Sequence, residues 1–141
     1  RYAMNASIAK ARALVCACAE QQKENGLVVG TVVEIYKNLV RADECKLSDA
    51  AEREERQRFQ REAIVGCRVL AGLLDSLCDE EAKKSLCERT AEVRRLSAAW
   101  LNAEKRQTVQ KGARRCRDTA PNAWRAAYSP LRRAQTARLS Q

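Results

Sequence analysis

The sequence predicts an all-α protein, an antiparallel bundle of about four helices with a basic C-terminal extension. Three observations support this prediction. Glycine and proline are scarce, at five and two of 141 residues, and alanine, glutamate, arginine and leucine are abundant, as in helical proteins. Apolar residues recur at spacings of three and four along most of the chain. The length is that of one domain, and 45% hydrophobic residues are enough for a single core.

The first helix is expected from about Asn5 to Lys23. Its apolar residues step by four, three, four and three, which places them on one helix face. Gly26 follows and is suited to ending the helix in a left-handed cap. The predicted stripe consists of Met4, Ile8, Ala11, Val15 and Cys18.

The second helix is expected from Leu27 to Glu44 and carries two adjacent apolar rows. Its β-branched residues also fit a strand, but the sustained spacing of three and four favours a helix. Two rows give a wide apolar face, so this helix is predicted to be the central one. The rows are Val28, Val32, Ile35 and Leu39, and Val29, Val33, Tyr36 and Val40.

The third helix is expected to begin after Ser48, which can cap it, with Asp49 and Glu52 near its positive end. Residues 51–58 are nearly all charged and are predicted to project into solvent or to meet a partner. The second half has a clear apolar stripe and is predicted to join the core. This stripe consists of Phe59, Ala63, Cys67, Leu70, Leu74 and Leu77.

The fourth helix is expected to begin at a break near Asp79 and to end at Gly112. Leu86, Val93 and Trp100 recur at intervals of seven, as in a heptad. We therefore expect Trp100 and its neighbour Leu96 in the core.

The break near Asp79 has an alternative. No glycine or proline lies between Gly72 and Gly112. Residues 49–111 are therefore either two helices or one very long helix.

The net charge of +9 is confined to the last quarter of the chain. Residues 1–104 contain 17 basic and 17 acidic residues, whereas residues 105–141 contain ten basic residues and only Asp118. Such a division is typical of a neutral body with a basic interaction segment. We predict a body over residues 1–112 and an arginine-rich extension over residues 113–141.

The extension is predicted to contain a short basic helix from Pro130 to Leu139. Ser129 suits the cap position and Pro130 the first helical position.

The basic segment, residues 105–141, has the chemistry of an RNA-binding surface. Arginine outnumbers lysine by eight to two, and its planar guanidinium binds phosphate through two hydrogen bonds and stacks on bases. Trp124 and Tyr128 share a helical spacing of four and can stack on unpaired bases. The candidate RNA-binding residues are Lys105, Arg106, Lys111, Arg114, Arg115, Arg117, Trp124, Arg125, Tyr128, Arg132, Arg133 and Arg138.

No catalytic site, metal site, cofactor or small-molecule substrate is expected. Histidine, the commonest general base and metal ligand, is absent from the chain. No glycine-rich segment has the pattern of a phosphate-binding loop. The most apolar run, Gly26–Val33, is eight residues long, whereas a membrane-spanning helix needs about 20. No transmembrane segment is therefore expected.

The cysteines favour a reducing intracellular compartment, with the mitochondrial matrix preferred. Their number, seven, is odd, and most have apolar neighbours, so they are expected to be buried thiols. Cys67, Cys78 and Cys87 resemble the twin-cysteine helical hairpins of the mitochondrial intermembrane space. Their gaps of ten and eight depart from that family's nine, and one cysteine is missing.

The layout of a small helical body with an arginine-rich extension resembles proteins of organellar ribosomes. This resemblance implies a non-enzymatic structural subunit of a ribonucleoprotein whose extension contacts RNA. Two alternatives remain open. One is an accessory or scaffold subunit of a mitochondrial protein complex, docking on acidic partners. The other is a secreted, disulfide-linked bundle acting as a ligand or receptor domain, for which the sequon Asn5-Ala6-Ser7 is the sequence support.

Overall fold

The computed structural model describes residues 5–119, with their side chains up to residue 108, and shows four helices packed against each other. No strand occurs within this range, so the all-α prediction is confirmed. Met4 and the short helix expected at Pro130–Leu139 lie outside the described residues. The helices are α1 (Ala6–Gln21), α2 (Gly26–Glu44), α3 (Ala50–Leu77) and α4 (Glu80–Thr119).

The chain forms two compact units, the first ending at Asn102 and the second beginning at Ala103. The four-helix core belongs to the first unit. The break predicted near Asp79 is present, so residues 49–111 contain two helices rather than one.

Asn5, Asp49 and Asp79 begin helices α1, α3 and α4. Each accepts a hydrogen bond at 2.9 Å from a backbone N–H two or three residues further on. These bonds satisfy amides that have no partner within the helix. The prediction for Asp79 is confirmed, whereas the prediction that Ser48 caps α3 is wrong. Asp49 occupies the cap position one residue later and makes the capping bonds itself.

Neither Gly26 nor Gly112 ends a helix, so both predictions are wrong. Helix α1 ends at Gln21 with a hydrogen bond from the N–H of Gln22 to the carbonyl of Cys18. Gly26 is instead the first residue of α2, and no described glycine has a positive φ. Helix α4 continues through Gly112, because glycine weakens a helix by only about 1 kcal/mol and its neighbours favour helix.

Helix α2, which was predicted to be the central helix, packs against both α1 and α3. Its first apolar row is almost completely removed from solvent, while its second row lies at the edge of the core and is half-buried. The fully buried row consists of Val28, Val32, Ile35 and Leu39.

The buried stripe of α4 differs from the predicted heptad. Leu86 and Val93 are fully buried as expected, but Leu96 and Trp100 are only half-buried. Thr90 and Ser97 take the inner positions instead, and the Thr90 hydroxyl donates to the Leu86 carbonyl at 2.7 Å. The core face therefore follows steps of three and four through small polar residues that an apolar pattern does not detect.

The buried faces of α1 and α3 also differ slightly from their predicted apolar stripes. In α1, Leu14 is fully buried and Val15 only half-buried. In α3, Gln60 is fully buried while Phe59 is half-buried, and Leu77 is 48% exposed.

Two glycines of α3 give a matched prediction about helix contacts. A β-carbon at Gly66 would lie 2.7 Å from Cγ1 of the buried Ile35, whereas one at Gly72 would have no neighbour within 4 Å. Gly66→Ala should destabilise the bundle by about 1 kcal/mol or more, because the overlap outweighs the gain in helix propensity. Gly72→Ala should stabilise it by about 0.5–1 kcal/mol. Urea denaturation followed by circular dichroism measures both; equal effects of the two variants would contradict the close contact.

Candidate nucleic-acid interface

Six of the twelve candidate RNA-binding residues lie on α4, within its last 15 residues. The predicted boundary between a helical body and an extension at residue 113 does not interrupt this helix. The part of α4 from residue 103 to residue 119 holds six basic and two acidic residues, a net charge of +4. It is about 25 Å long at 1.5 Å per residue. The six are Lys105, Arg106, Lys111, Arg114, Arg115 and Arg117.

The other six candidates lie outside the described residues. They are Trp124, Arg125, Tyr128, Arg132, Arg133 and Arg138.

The helical positions of the six basic residues are spread around the helix axis rather than along one face. Lys105 and Arg106, whose side chains are described, are both exposed. The hydroxyl of Thr108 donates to the Glu104 carbonyl at 2.9 Å and so stays within the helix. A helix that is basic all round suits a site that surrounds it with phosphates, more than a flat anionic surface.

Some exposed cations of the body form ion pairs with nearby acids, mostly on the same helix. Arg58 contacts Glu55 at 2.6 Å, and Arg95 contacts Glu92 at 2.6 Å, both at a spacing of three. The hydrogen bond from each arginine lowers the pKa of its partner carboxyl. These pairs are exposed and contribute little to stability, but they neutralise the field that the body presents to a polyanion.

Arg56 is a buried cation within the charged run 51–58, and sequence reasoning missed it. The prediction that this run faces solvent or a partner is wrong for Arg56, which is 8% exposed. Its Nη1 donates to the carbonyls of Ala42 at 3.0 Å and Cys45 at 2.9 Å, at the end of α2. Its guanidinium carbon lies 5.0 Å from the ring centre of Trp100 on α4.

The surroundings of Arg56 explain its burial. The last carbonyls of α2 have no partner within the helix and carry its partial negative charge. A guanidinium satisfies them while stacking on an indole ring, a combination that lysine cannot reproduce. Arg56 is therefore a structural cation that joins three helices, and it is not a candidate for binding RNA.

Two cysteines of the body are inert thiols rather than nucleophiles. Burial, with a smaller contribution from the nearby Cys78, raises the pKa of Cys18 to about 11. Burial also raises the pKa of Cys67 to about 11. Both thiols stay protonated near neutral pH, so neither is activated for attack. None of the six described cysteines is in a disulfide.

The thiols give a second prediction, for alkylation with iodoacetamide at pH 8. Cys18 and Cys67 should have a thiolate fraction about a hundredfold below that of a thiol of ordinary pKa, and burial should slow them further. Cys16 is exposed and should react before the other described cysteines. Fragmentation of labelled tryptic peptides separates Cys16 from Cys18; equal labelling of the two would contradict the burial of Cys18.

The raised pKa values of Cys18 and Cys67 also determine how the stability of the fold depends on pH. Because folding raises both pKa values above 9.0, the stabilisation that comes from the two protonated thiols is fully present below about pH 9. It is lost as the pH rises towards 11.

Among the side chains that the structure describes, residues 5–108, no group of three or more cysteines or carboxylates is arranged to hold a metal ion. No helix in that range is long and apolar enough to cross a bilayer. Comparison with protein families, curated proteins and solved structures found no match to this chain. The basic segment therefore remains the feature that best indicates a partner.

Proposed function

We propose that the chain is a non-enzymatic structural subunit of a ribonucleoprotein, similar in layout to proteins of organellar ribosomes. Its basic segment, residues 105–141, contacts RNA in this proposal, and its helical body serves as the scaffold. A reducing compartment such as the mitochondrial matrix suits its free thiols. The observation that carries the proposal is the charge division: residues 1–104 are neutral, and residues 105–141 hold the whole excess of +9.

RNA is favoured over other polyanions by the composition and the helical form of the segment. Arginines bind phosphates and stack on bases, and a helix with cations all round can enter a groove with phosphates on both sides. Arg58 and Arg95 of the body are held in exposed ion pairs, so they compete little for the same ligand. An acidic protein surface would satisfy the same cations, as in an accessory subunit of a protein complex.

Salt dependence tests the proposal on the full, nuclease-treated chain. Each phosphate contact to single-stranded RNA should make the slope of log K against log salt more negative by about 0.7. Contact through five to ten of the ten basic residues therefore predicts a slope of about −3.5 to −7. Fluorescence anisotropy with labelled structured and single-stranded RNA measures it.

A competition experiment separates the two classes of partner. Poly-glutamate of matched charge should displace RNA only at a large excess, because it offers carboxylates but no bases or phosphates. If poly-glutamate competes as well as RNA, the segment recognises negative charge alone, and the RNA proposal fails in favour of an acidic protein partner.

A further inference from the structure

The last part of α4 carries its cations without an intervening acid. Residues 105–117 hold six basic residues and no carboxylate, because Glu104 and Asp118 lie just outside this range. The backbone of the whole range is helical, since α4 continues to Thr119. At 1.5 Å per residue this stretch, the cationic helix, is about 18 Å long.

The cationic helix has two basic flanks. At about 100° per residue, the positions of Arg106 and Arg117 are about 20° apart and form one flank. The positions of Lys111 and Arg115 are about 40° apart and form the other flank, centred about 150° from the first. With Arg114 between the flanks, five of the six cations cover about half of the circumference. A ligand that contacts both flanks must therefore be concave.

The strip between the flanks carries residues of a kind that recognises base edges. Gln107 and Gln110 lie there, with Arg114 between them around the helix axis. Glutamine binds adenine through paired hydrogen bonds at the base edge. Val109 and Gly112 lie on the opposite side of the helix. A ligand with two anionic walls and a floor of base edges matches this order of residues.

Two simple forms of RNA match the cationic helix less well. A single strand has one backbone and is bound largely by stacking its bases on aromatic side chains, but residues 105–117 contain no aromatic residue. A uniform duplex has two backbones, but its major groove is deep and narrow, whereas an α-helix with its side chains is about 10–12 Å across. Unpaired nucleotides in one strand let the two backbones move apart and so widen the groove.

We propose that the cationic helix binds the widened major groove of a duplex RNA that an internal loop or bulge interrupts. Each basic flank contacts the phosphates of one strand, and Gln107 and Gln110 contact base edges on the floor of the groove. This inference rests on the proposed function, because it names the class of RNA that the basic segment binds. It also assigns different roles to neighbouring residues, which makes it testable residue by residue.

The form of the RNA is tested with the full, nuclease-treated chain. The probes are labelled hairpins with a randomised internal loop in the stem, the matching fully paired hairpins, an unstructured single strand of equal length and a DNA duplex. Fluorescence anisotropy at 0.15 M salt should show the internal-loop hairpins bound about tenfold more tightly than the other three.

The outcomes separate this inference from the proposed function. Equal affinity for all the RNA probes, or tighter binding of the single strand or the paired hairpins, would overturn the inference and leave the proposed function standing. The absence of binding to any RNA, or tightest binding to the DNA duplex, would refute both.

Three consecutive residues test the assigned roles. Lys111→Gln, on a flank, should make the slope of log K against log salt less negative by about 0.7–0.9, because it removes one phosphate contact. Gln110→Ala, in the strip, should weaken binding to the internal-loop hairpins about tenfold and leave the slope unchanged. Val109→Ala, on the opposite side, should change neither value. Unchanged affinity in Gln110→Ala, or equal effects of the three variants, would overturn the assignment.

The need for a helix is tested at Gly112 without a change of charge. Gly112→Pro interrupts the helix and should abolish the preference for internal-loop hairpins, while salt-dependent binding to single strands remains. Gly112→Ala favours the helix and should keep the preference. Both variants should unfold at the wild-type urea concentration, because the core cluster lies within residues 8–100. A preference that persists in Gly112→Pro would refute recognition by a helix.

Discussion

Replacing Arg56 by alanine should destabilise the bundle by about 3 kcal/mol, the largest loss of stability that we expect from a charged residue of the body. The substitution removes two short charge-assisted hydrogen bonds to the end of α2 and the contact with Trp100. It also leaves a space in the bundle, because Arg56 is only 8% exposed. Arg56→Lys should recover only part of the loss. An ammonium group is not planar, so it cannot stack on the Trp100 ring while it donates hydrogen bonds to the carbonyls of α2. Urea denaturation measures the free energies of unfolding.

Arg58→Ala is the matched control in the same helix. Arg58 forms exposed ion pairs with Glu55 and Glu62 and lies 4.7 Å over the Phe59 ring. Such contacts are worth less than about 1 kcal/mol in solvent. If the two alanine variants unfold at the same urea concentration, Arg56 does not join the helices as described.

Replacing Arg114, Arg115 and Arg117 together by glutamine should weaken binding to single-stranded RNA about fiftyfold at 0.15 M salt. Three phosphate contacts contribute about two units to the slope of log K against log salt, and this part of the slope should disappear. The three residues lie within the last turns of α4, and glutamine preserves helix propensity. The helical content should therefore stay constant while the affinity falls. Anisotropy titrations between 0.05 and 0.3 M salt provide both values.

A body variant with the same loss of charge separates local contact from net charge. Arg12, Arg41 and Arg68 are exposed, and their joint change to glutamine also lowers the net charge by three. This control should reduce RNA affinity by less than about fivefold, since charges farther than about 8 Å from the ligand are screened at physiological salt. Equal losses in the two triple variants would show that RNA responds to the overall charge and not to the segment.

The helices were predictable because local chemistry specifies them. The apolar row of α2 and the cap at Asp79 depend on residues close together in the chain, and both are as predicted. The errors arise where another helix decides the outcome. Thr90 and Ser97 are buried because small side chains suit the inner face of α4, and Leu77 is exposed because no helix covers it. An apolar period cannot distinguish these cases.

The burial of Arg56 likewise could not be predicted from the sequence pattern. In the sequence it belongs to a run of alternating charges, which is typical of a solvated face. Its partners come from the end of α2 and from Trp100 on α4, so its burial depends on tertiary packing alone. The basic segment was recognisable because a local excess of charge needs no tertiary contact.

The contact between Arg56 and Trp100 also bears on the order in which the chain folds. Helices α1, α2 and α3 pair with their sequence neighbours, and such local pairing forms rapidly. Arg56 can meet Trp100 only after α4 has closed on α3, so we expect this stack to form after the rate-limiting step. The loss in Arg56→Ala would then appear as faster unfolding with nearly unchanged refolding. The buried arginine would thus determine how long the native bundle persists rather than how quickly it is reached.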